Sequence, residues 1–157
     1  MPRYEPWSAE RTAQIIREHE GIEGPLLPIL HALQEEFGYI DEAAEPLIGE
    51  ALNITRAEVH GVVTFYHDFR RVPAGRHVLK LCRAESCQAA GSDELAARAE
   101  ARLGVALGNT TADGRVTVEP VYCLGLCSVS PSAMIDGKVV ARLDANKLDR
   151  LLAEADR

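Results

Sequence analysis

The chain has 157 residues, enough for one ordinary domain or two small ones and too few for a large multidomain enzyme. Lys and Arg number 17 against 24 for Asp and Glu, a formal net charge of −7 and the wrong sign for a surface that neutralises nucleic-acid phosphates. With 46% hydrophobic and 26% charged residues, the composition is that of a folded globular chain rather than a disordered one.

The start, Met1 to Trp7, has no apolar run to serve as a signal-peptide core, and no later stretch is long enough to span a bilayer. A cytoplasmic protein without membrane insertion is the expectation. Ser8 is placed to cap a first helix through Ile15 and Ile16 to about Glu20, with Gly21 as a left-handed exit. Pro25 opens a second helix, which carries Leu26, Leu27, Leu30 and Leu33 on one face and stops at Gly38. Asp41 opens a third, through Leu47, Ile48 and Leu52. Thr55 and Glu58 form a capping box for a fourth, running toward Phe69.

The pattern changes at Val72-Pro73-Ala74-Gly75, which divides the chain into a small helical bundle, residues 1–75, and a second domain, residues 76–157. The first part holds 6 basic and 13 acidic side chains, the second 11 of each, so the acidity belongs to the bundle. In the second part His77–Cys82 and Val116–Val121 read as strands, with a helix capped by Ser92-Asp93-Glu94 and ending at Gly104 between them. Met134-Ile135 and Val139–Ala141 flank Asp136-Gly137, a hairpin dipeptide, and Asp144 caps a last helix to about Ala155. The expected order is βαββα, an α+β or α/β domain after a bundle.

Four cysteines in a reducing compartment favour metal or redox chemistry over structural disulfides. Four residues separate Cys82 from Cys87, three separate Cys123 from Cys127, and thirty-five lie between the pairs. Each pair follows a predicted strand. In a βαβ unit the two strands are parallel, so the loops leaving their C-terminal ends emerge on one edge of the sheet, and the four sulfurs are expected to meet there. Four thiolates suit zinc or iron–sulfur. The four-residue gap is wide for a zinc ribbon and natural around a binuclear cluster, which favours iron. A four-cysteine zinc site stays open as the alternative, as do unliganded core cysteines and a dithiol couple, although no Cys-x-x-Cys motif is present. Gly125 lets backbone approach the site; Ser86, Ser128 and backbone N–H groups are candidate donors to sulfur; and Arg83 would add positive charge beside an anionic cluster.

Other features read more plainly. His60 and His67 are too far apart in sequence to converge on one ion from a helix and are taken as core or interface residues. Phe65, Tyr66 and Phe69 at helical spacing are read as core, with docking to a partner as the second reading. Glu35-Glu36, Asp41-Glu42, Glu45 and Glu50 are read as a solvated helix face. No phosphate loop, nucleophile elbow or acid/base carboxylate pair is present, so no catalytic residue is assigned.

Several motifs occur in the order of one known family: Gly24–Leu30, Gly38-Tyr39-Ile40, Ala57–Phe69, the Cys82/Cys87 loop and Cys123-Leu124-Gly125-Leu126-Cys127. On these the chain resembles the NADH-dehydrogenase 24 kDa subunit family, which includes small subunits of NAD-reducing hydrogenases and NAD-dependent formate dehydrogenases. The resemblance implies a helical domain followed by a thioredoxin-like domain that holds one 2Fe-2S cluster through Cys82, Cys87, Cys123 and Cys127. It also implies a partner, a larger flavin subunit that binds FMN and NAD(H) and carries its own iron–sulfur cluster. Respiratory-complex members usually continue after the last cysteine with Gly-Asn-Ala-Pro. This chain has Ser128-Val129-Ser130-Pro131, which looks more like the gamma subunit of molybdenum-containing, NAD-dependent formate dehydrogenase and implies a molybdenum catalytic subunit in the same complex. The implied role is electron transfer, with hydride chemistry left to the flavin partner.

Overall fold

A computed structural model describes residues 4–155. The chain forms two compact units that divide between Pro73 and Ala74. No helix among the described residues is long and apolar enough to cross a membrane.

The first unit is four helices: α1 (Ala9–His19), α2 (Leu26–Phe37), α3 (Ala44–Leu52) and α4 (Arg56–Phe65). Side-chain caps start two of them. Ser8 Oγ accepts the Arg11 N–H at 3.1 Å, and Thr55 and Glu58 exchange hydrogen bonds as a capping box. The apolar stripes of all four meet in one core built from Ile15, Ile29, Leu33, Phe37, Ile48 and Val63, each nearly inaccessible.

Three local expectations need correction. The left-handed residue after α1 is Gly24, at φ +64°, not Gly21, because Glu20 still has helical angles and the chain passes through a turn and a bend before α2. Helix α3 begins at Ala44; Asp41 stands before it, accepting the Ala43 N–H in a turn that precedes the helix. Helix α4 ends at Phe65, where Tyr66 takes up an extended ψ, and this leaves His67 and Phe69 beyond the helix.

The second unit is a five-stranded mixed sheet flanked by helices. Strands β1 (His77–Cys82) and β3 (Val116–Val121) are parallel, with α5 (Glu85–Ala89) and α6 (Ser92–Leu103) in the connection. The short β2 (Asn109–Thr110) pairs antiparallel with β3 at one edge. The hairpin β4 (Ala133–Ile135) and β5 (Lys138–Val140) lies on the other side of β1, giving the order β2-β3-β1-β4-β5. Helix α7 (Ala145–Ala155) closes the unit, with Asp144 accepting the Lys147 N–H at 2.8 Å.

The sequence order βαββα thus gains α5, β2 and a separate strand for each arm of the hairpin. Helix α6 starts after Gly91, at φ +91°, without a side-chain cap, so Ser92 is its first residue rather than its cap. Leu79, Leu81, Val118, Ala133, Leu148 and Leu152 form the core between sheet and helices.

Candidate metal centre

The parallel β1–β3 ladder sets the site. Its last register pair is Cys82 opposite Val121, and the Arg83 N–H extends the ladder by donating to the Val121 carbonyl at 2.8 Å. The chain leaves β1 into α5, which carries Cys87, and leaves β3 directly into Tyr122-Cys123. Both cysteine loops therefore depart from the same sheet edge, the usual place for ligands in such sheets.

Local geometry then shapes each loop. Cys123 has φ +101°, a left-handed angle that a side-chain-bearing residue rarely adopts and that here turns the chain immediately after the strand. Gly125 has φ +76°, and its N–H donates to Cys123 Sγ at 3.3 Å. Cys127 opens a single 3-10 turn, Cys127–Val129, which leads to the cis Ser130–Pro131 bond and on to β4. Ser86 Oγ donates to the Cys127 carbonyl at 3.0 Å and contacts Ser130 Oγ at 3.1 Å, tying the α5 loop to the Cys127 turn.

The four cysteines form two pairs, Cys82 with Cys87 and Cys123 with Cys127. Cys123 Sγ and Cys127 Sγ are 3.6 Å apart, and both residues are exposed. Cys82 and Cys87 are buried, and no two of the cysteines are joined in a disulfide. Burial opposes ionisation of Cys82, but the Ala84 N–H, the Cys87 thiol, the Cys123 N–H and the Ser132 hydroxyl outweigh it and hold its pKa below the usual thiol value. Cys127 moves the other way: its hydrogen bond to Cys123 and the negative charge there raise its pKa, with further contributions from burial, Cys87 and Cys82. Cys127 thus feels the charge of the inner pair, and Cys82 accepts the Cys123 N–H. Among the described residues no three His, Cys, Asp or Glu side chains converge as a single ion would require.

The donor set fits an iron–sulfur group. Two thiolates on one tetrahedral metal at about 2.3 Å stand roughly 3.8 Å apart, close to the Cys123–Cys127 separation of 3.6 Å. Thiols with N–H and O–H donors beside them are the groups that such clusters use for ligation and tuning.

The hydroxyl beside sulfur belongs to Ser132, whose Oγ is 3.6 Å from Cys87 Sγ, rather than to Ser86 or Ser128. Ser132 arrives there by strand pairing. The Leu81–Ala133 register of β1 and β4 continues one step, with the Cys82 N–H donating to the Ser132 carbonyl at 3.1 Å. The sequence signal was the hairpin itself, because pairing its first arm with β1 places the preceding serine at the sulfur edge.

Elsewhere the bundle departs from expectation. Phe69 is core, but Phe65 is 74% exposed and Tyr66 44%, stacked edge to face at 5.1 Å and lining, with Leu26, Ile54 and Val62, a groove of about 600 Å³. Glu45 is fully buried, not part of a solvated face. Its carboxylate receives hydrogen bonds from Arg56, at 3.1 Å, and from Arg71, and faces His60 Nδ1 at 3.1 Å. A buried carboxylate needs such partners, and they join α3, α4 and the segment after α4.

The model of the family described as thioredoxin-like [2Fe-2S] ferredoxin matches residues 12–156. An NADH-quinone oxidoreductase subunit of Pseudomonas aeruginosa is 39% identical over 132 residues, 82% of this chain and 80% of that protein. Its Escherichia coli K12 counterpart is 36% identical over 95% of this chain and 91% of that protein. The NADP-reducing hydrogenase subunit HndA of Solidesulfovibrio fructosivorans is 30% identical over 84% of this chain and 77% of that protein. Among solved structures, an air-oxidised NAD+-reducing [NiFe]-hydrogenase aligns with a TM-score of 0.72 and 28% identity over 83% of this chain, but this covers only 22% of the hydrogenase chain. The fold, the paired cysteines and these matches together make the chain a member of the thioredoxin-like [2Fe-2S] ferredoxin family.

Proposed function

We propose that this chain is an electron-transfer subunit of an NAD-linked oxidoreductase and holds one 2Fe-2S cluster through Cys82, Cys87, Cys123 and Cys127. The observation that carries the reading is that two cysteine pairs lie on loops leaving the same edge of the sheet. Two pairs suit two metal atoms, one per pair, better than a single tetrahedral ion, which favours the cluster over a four-cysteine zinc site. A bound cluster supplies one-electron chemistry. The chain's own residues ligate, orient and tune: Cys82 and Cys87 shield one side, Cys123 and Cys127 leave the other open to solvent, and Ser132 and the Gly125 N–H donate to sulfur.

The partner in this reading is a flavin subunit that binds FMN and NAD(H) and carries its own iron–sulfur cluster, so that hydride transfer takes place there and single electrons pass here. For the parent complex we favour a cytoplasmic, NAD-dependent formate dehydrogenase with a molybdenum subunit, supported by Ser128-Val129-Ser130-Pro131 after the last cysteine. The names of the relatives support a second reading, the equivalent subunit of an NADH:quinone oxidoreductase or NAD-reducing hydrogenase.

Affinity purification of the tagged chain from its native host tests both levels. About two irons and two acid-labile sulfides per chain are expected, whereas one stoichiometric zinc rejects the cluster. Co-purification of a molybdenum subunit, with the cluster reduced by formate, supports the favoured parent. Membrane subunits of a quinone reductase replace it with the second reading.

A further inference from the structure

Of the two cysteine loops, the second is free of charge: from Pro120 to Ile135 there is no Asp, Glu, Lys or Arg. The first contains Arg83 and Glu85. Glu85 is exposed on the first turn of α5, where solvent screens it. Arg83 is in a different situation. It follows Cys82 directly, so its Cα is about 3.8 Å from that of a ligand in the proposed set. Its backbone is fixed on both sides, the N–H to Val121 at 2.8 Å and the carbonyl to Gln88 Nε2 at 2.8 Å. Its side chain is 26% exposed, and Nη2 pairs at 2.9 Å with Asp93, a 60% exposed carboxylate on the first turn of α6. The Nε atom is buried with no hydrogen-bond partner among the described residues.

A buried guanidinium N–H without an acceptor is costly, more so than a neutral donor, and it persists where a neighbouring anion offsets the cost. Four thiolates and two sulfides with two ferric irons form a dianion, and reduction adds a further negative charge. We propose that Arg83 sets the reduction potential of the cluster, and that Asp93 sets how much of the Arg83 charge the cluster feels. The proposal rests on the four-cysteine cluster reading and concerns two residues outside the ligand set. A fixed positive charge in a partly desolvated place favours the reduced form over the oxidised one; its counter-ion, standing in solvent on the first turn of α6, weakens that preference.

The two residues therefore act with opposite signs, and this separates tuning from damage. The test is a redox titration of the full-length, cluster-loaded protein, followed by electron paramagnetic resonance, with iron and sulfide content measured for every variant. Arg83→Gln is expected to disfavour reduction by about threefold to tenfold, the upper figure being 59 mV for a one-electron couple. Asp93→Asn is expected to favour reduction by about twofold to fivefold, and Arg83→Lys to stay within about twofold of the parent protein. Asp93 is an exposed residue with no part in the core, so Asp93→Asn keeps the test decisive even if Arg83→Gln loses its cluster. Shifts of the same sign for Arg83→Gln and Asp93→Asn, or an unshifted Asp93→Asn at full iron content, overturn the proposal and leave the cluster reading intact. Absence of iron from the unmutated protein overturns both.

Discussion

Ser132 Oγ lies 3.6 Å from Cys87 Sγ, held there because the β1–β4 pairing continues from Leu81–Ala133 to the Cys82 N–H on the Ser132 carbonyl. A hydroxyl donating to a ligand sulfur draws electron density from it and stabilises the reduced state. Ser132→Ala is therefore expected to lower the cluster's potential. A net hydrogen bond of about 0.5–1.5 kcal/mol corresponds to a shift of some tens of millivolts. Ser132→Thr should restore most of it, and redox titration of the two variants checks this.

The exposed pair gives a second prediction. Cys123→Ser and Cys127→Ser should each abolish stable cluster binding, read as iron and sulfide per chain. Removing metal from the unmutated protein with a chelator should lower the thermal midpoint of the second unit, since a group bound only by the folded state stabilises it by mass action. An unchanged midpoint after complete metal loss would show that the loops are held without it.

Gly125 provides a third. Nothing lies within 4 Å of where a Cβ would stand, so the obstacle to substitution is its φ of +76° alone. Gly125→Ala should cost about 1–2 kcal/mol at that position and loosen the N–H contact to Cys123 Sγ. The expected result is a folded protein that loses iron faster under chelator challenge, with unchanged far-ultraviolet circular dichroism.

A fourth concerns acid. Burial disfavours the charged form of Glu45, but hydrogen bonds from Arg71, His60 and Arg56 outweigh it and hold the pKa below the ordinary 4.5. A carboxylate depressed in the folded state contributes stability that is fully present above its unfolded value and is lost as pH falls through the folded one. Glu45→Gln should thus be less stable than the parent protein by about 1–3 kcal/mol at neutral pH, with the gap closing as pH falls below 4.5. Urea unfolding of both proteins across that range measures it; a gap that widens in acid contradicts the network.

The site was legible from sequence to the extent that topology determines it. Cys82 and Val121 end two predicted strands, and parallel pairing brings the loops after them together with no knowledge of side chains. What could not be read were features produced by tertiary packing. Helix α5 is too short for a periodic signal, and β2 is two residues whose strand character comes only from pairing with β3. Glu45 looked like its exposed neighbours because an acidic run does not reveal that one member turns inward to meet Arg71, twenty-six residues away. Phe65 and Phe69 sit at helical spacing, yet α4 stops between them, so one packs in the core and the other stands in solvent. Ser132 was missed for the opposite reason: its role depends on the register of a hairpin whose turn was visible but whose partner strand was not.

The unequal cover of the four cysteines gives the protein a vulnerable flank. Hydrogen peroxide, alkylating reagents and competing metals arriving from bulk water meet Cys123 and Cys127 first, while Cys82 and Cys87 are sheltered. Once metal is lost, oxidation of the chain should accordingly follow a fixed sequence, with sulfenic acid on the outer sulfurs appearing while the inner two are still unmodified. Repair by thiol reductants should succeed for as long as that order is kept.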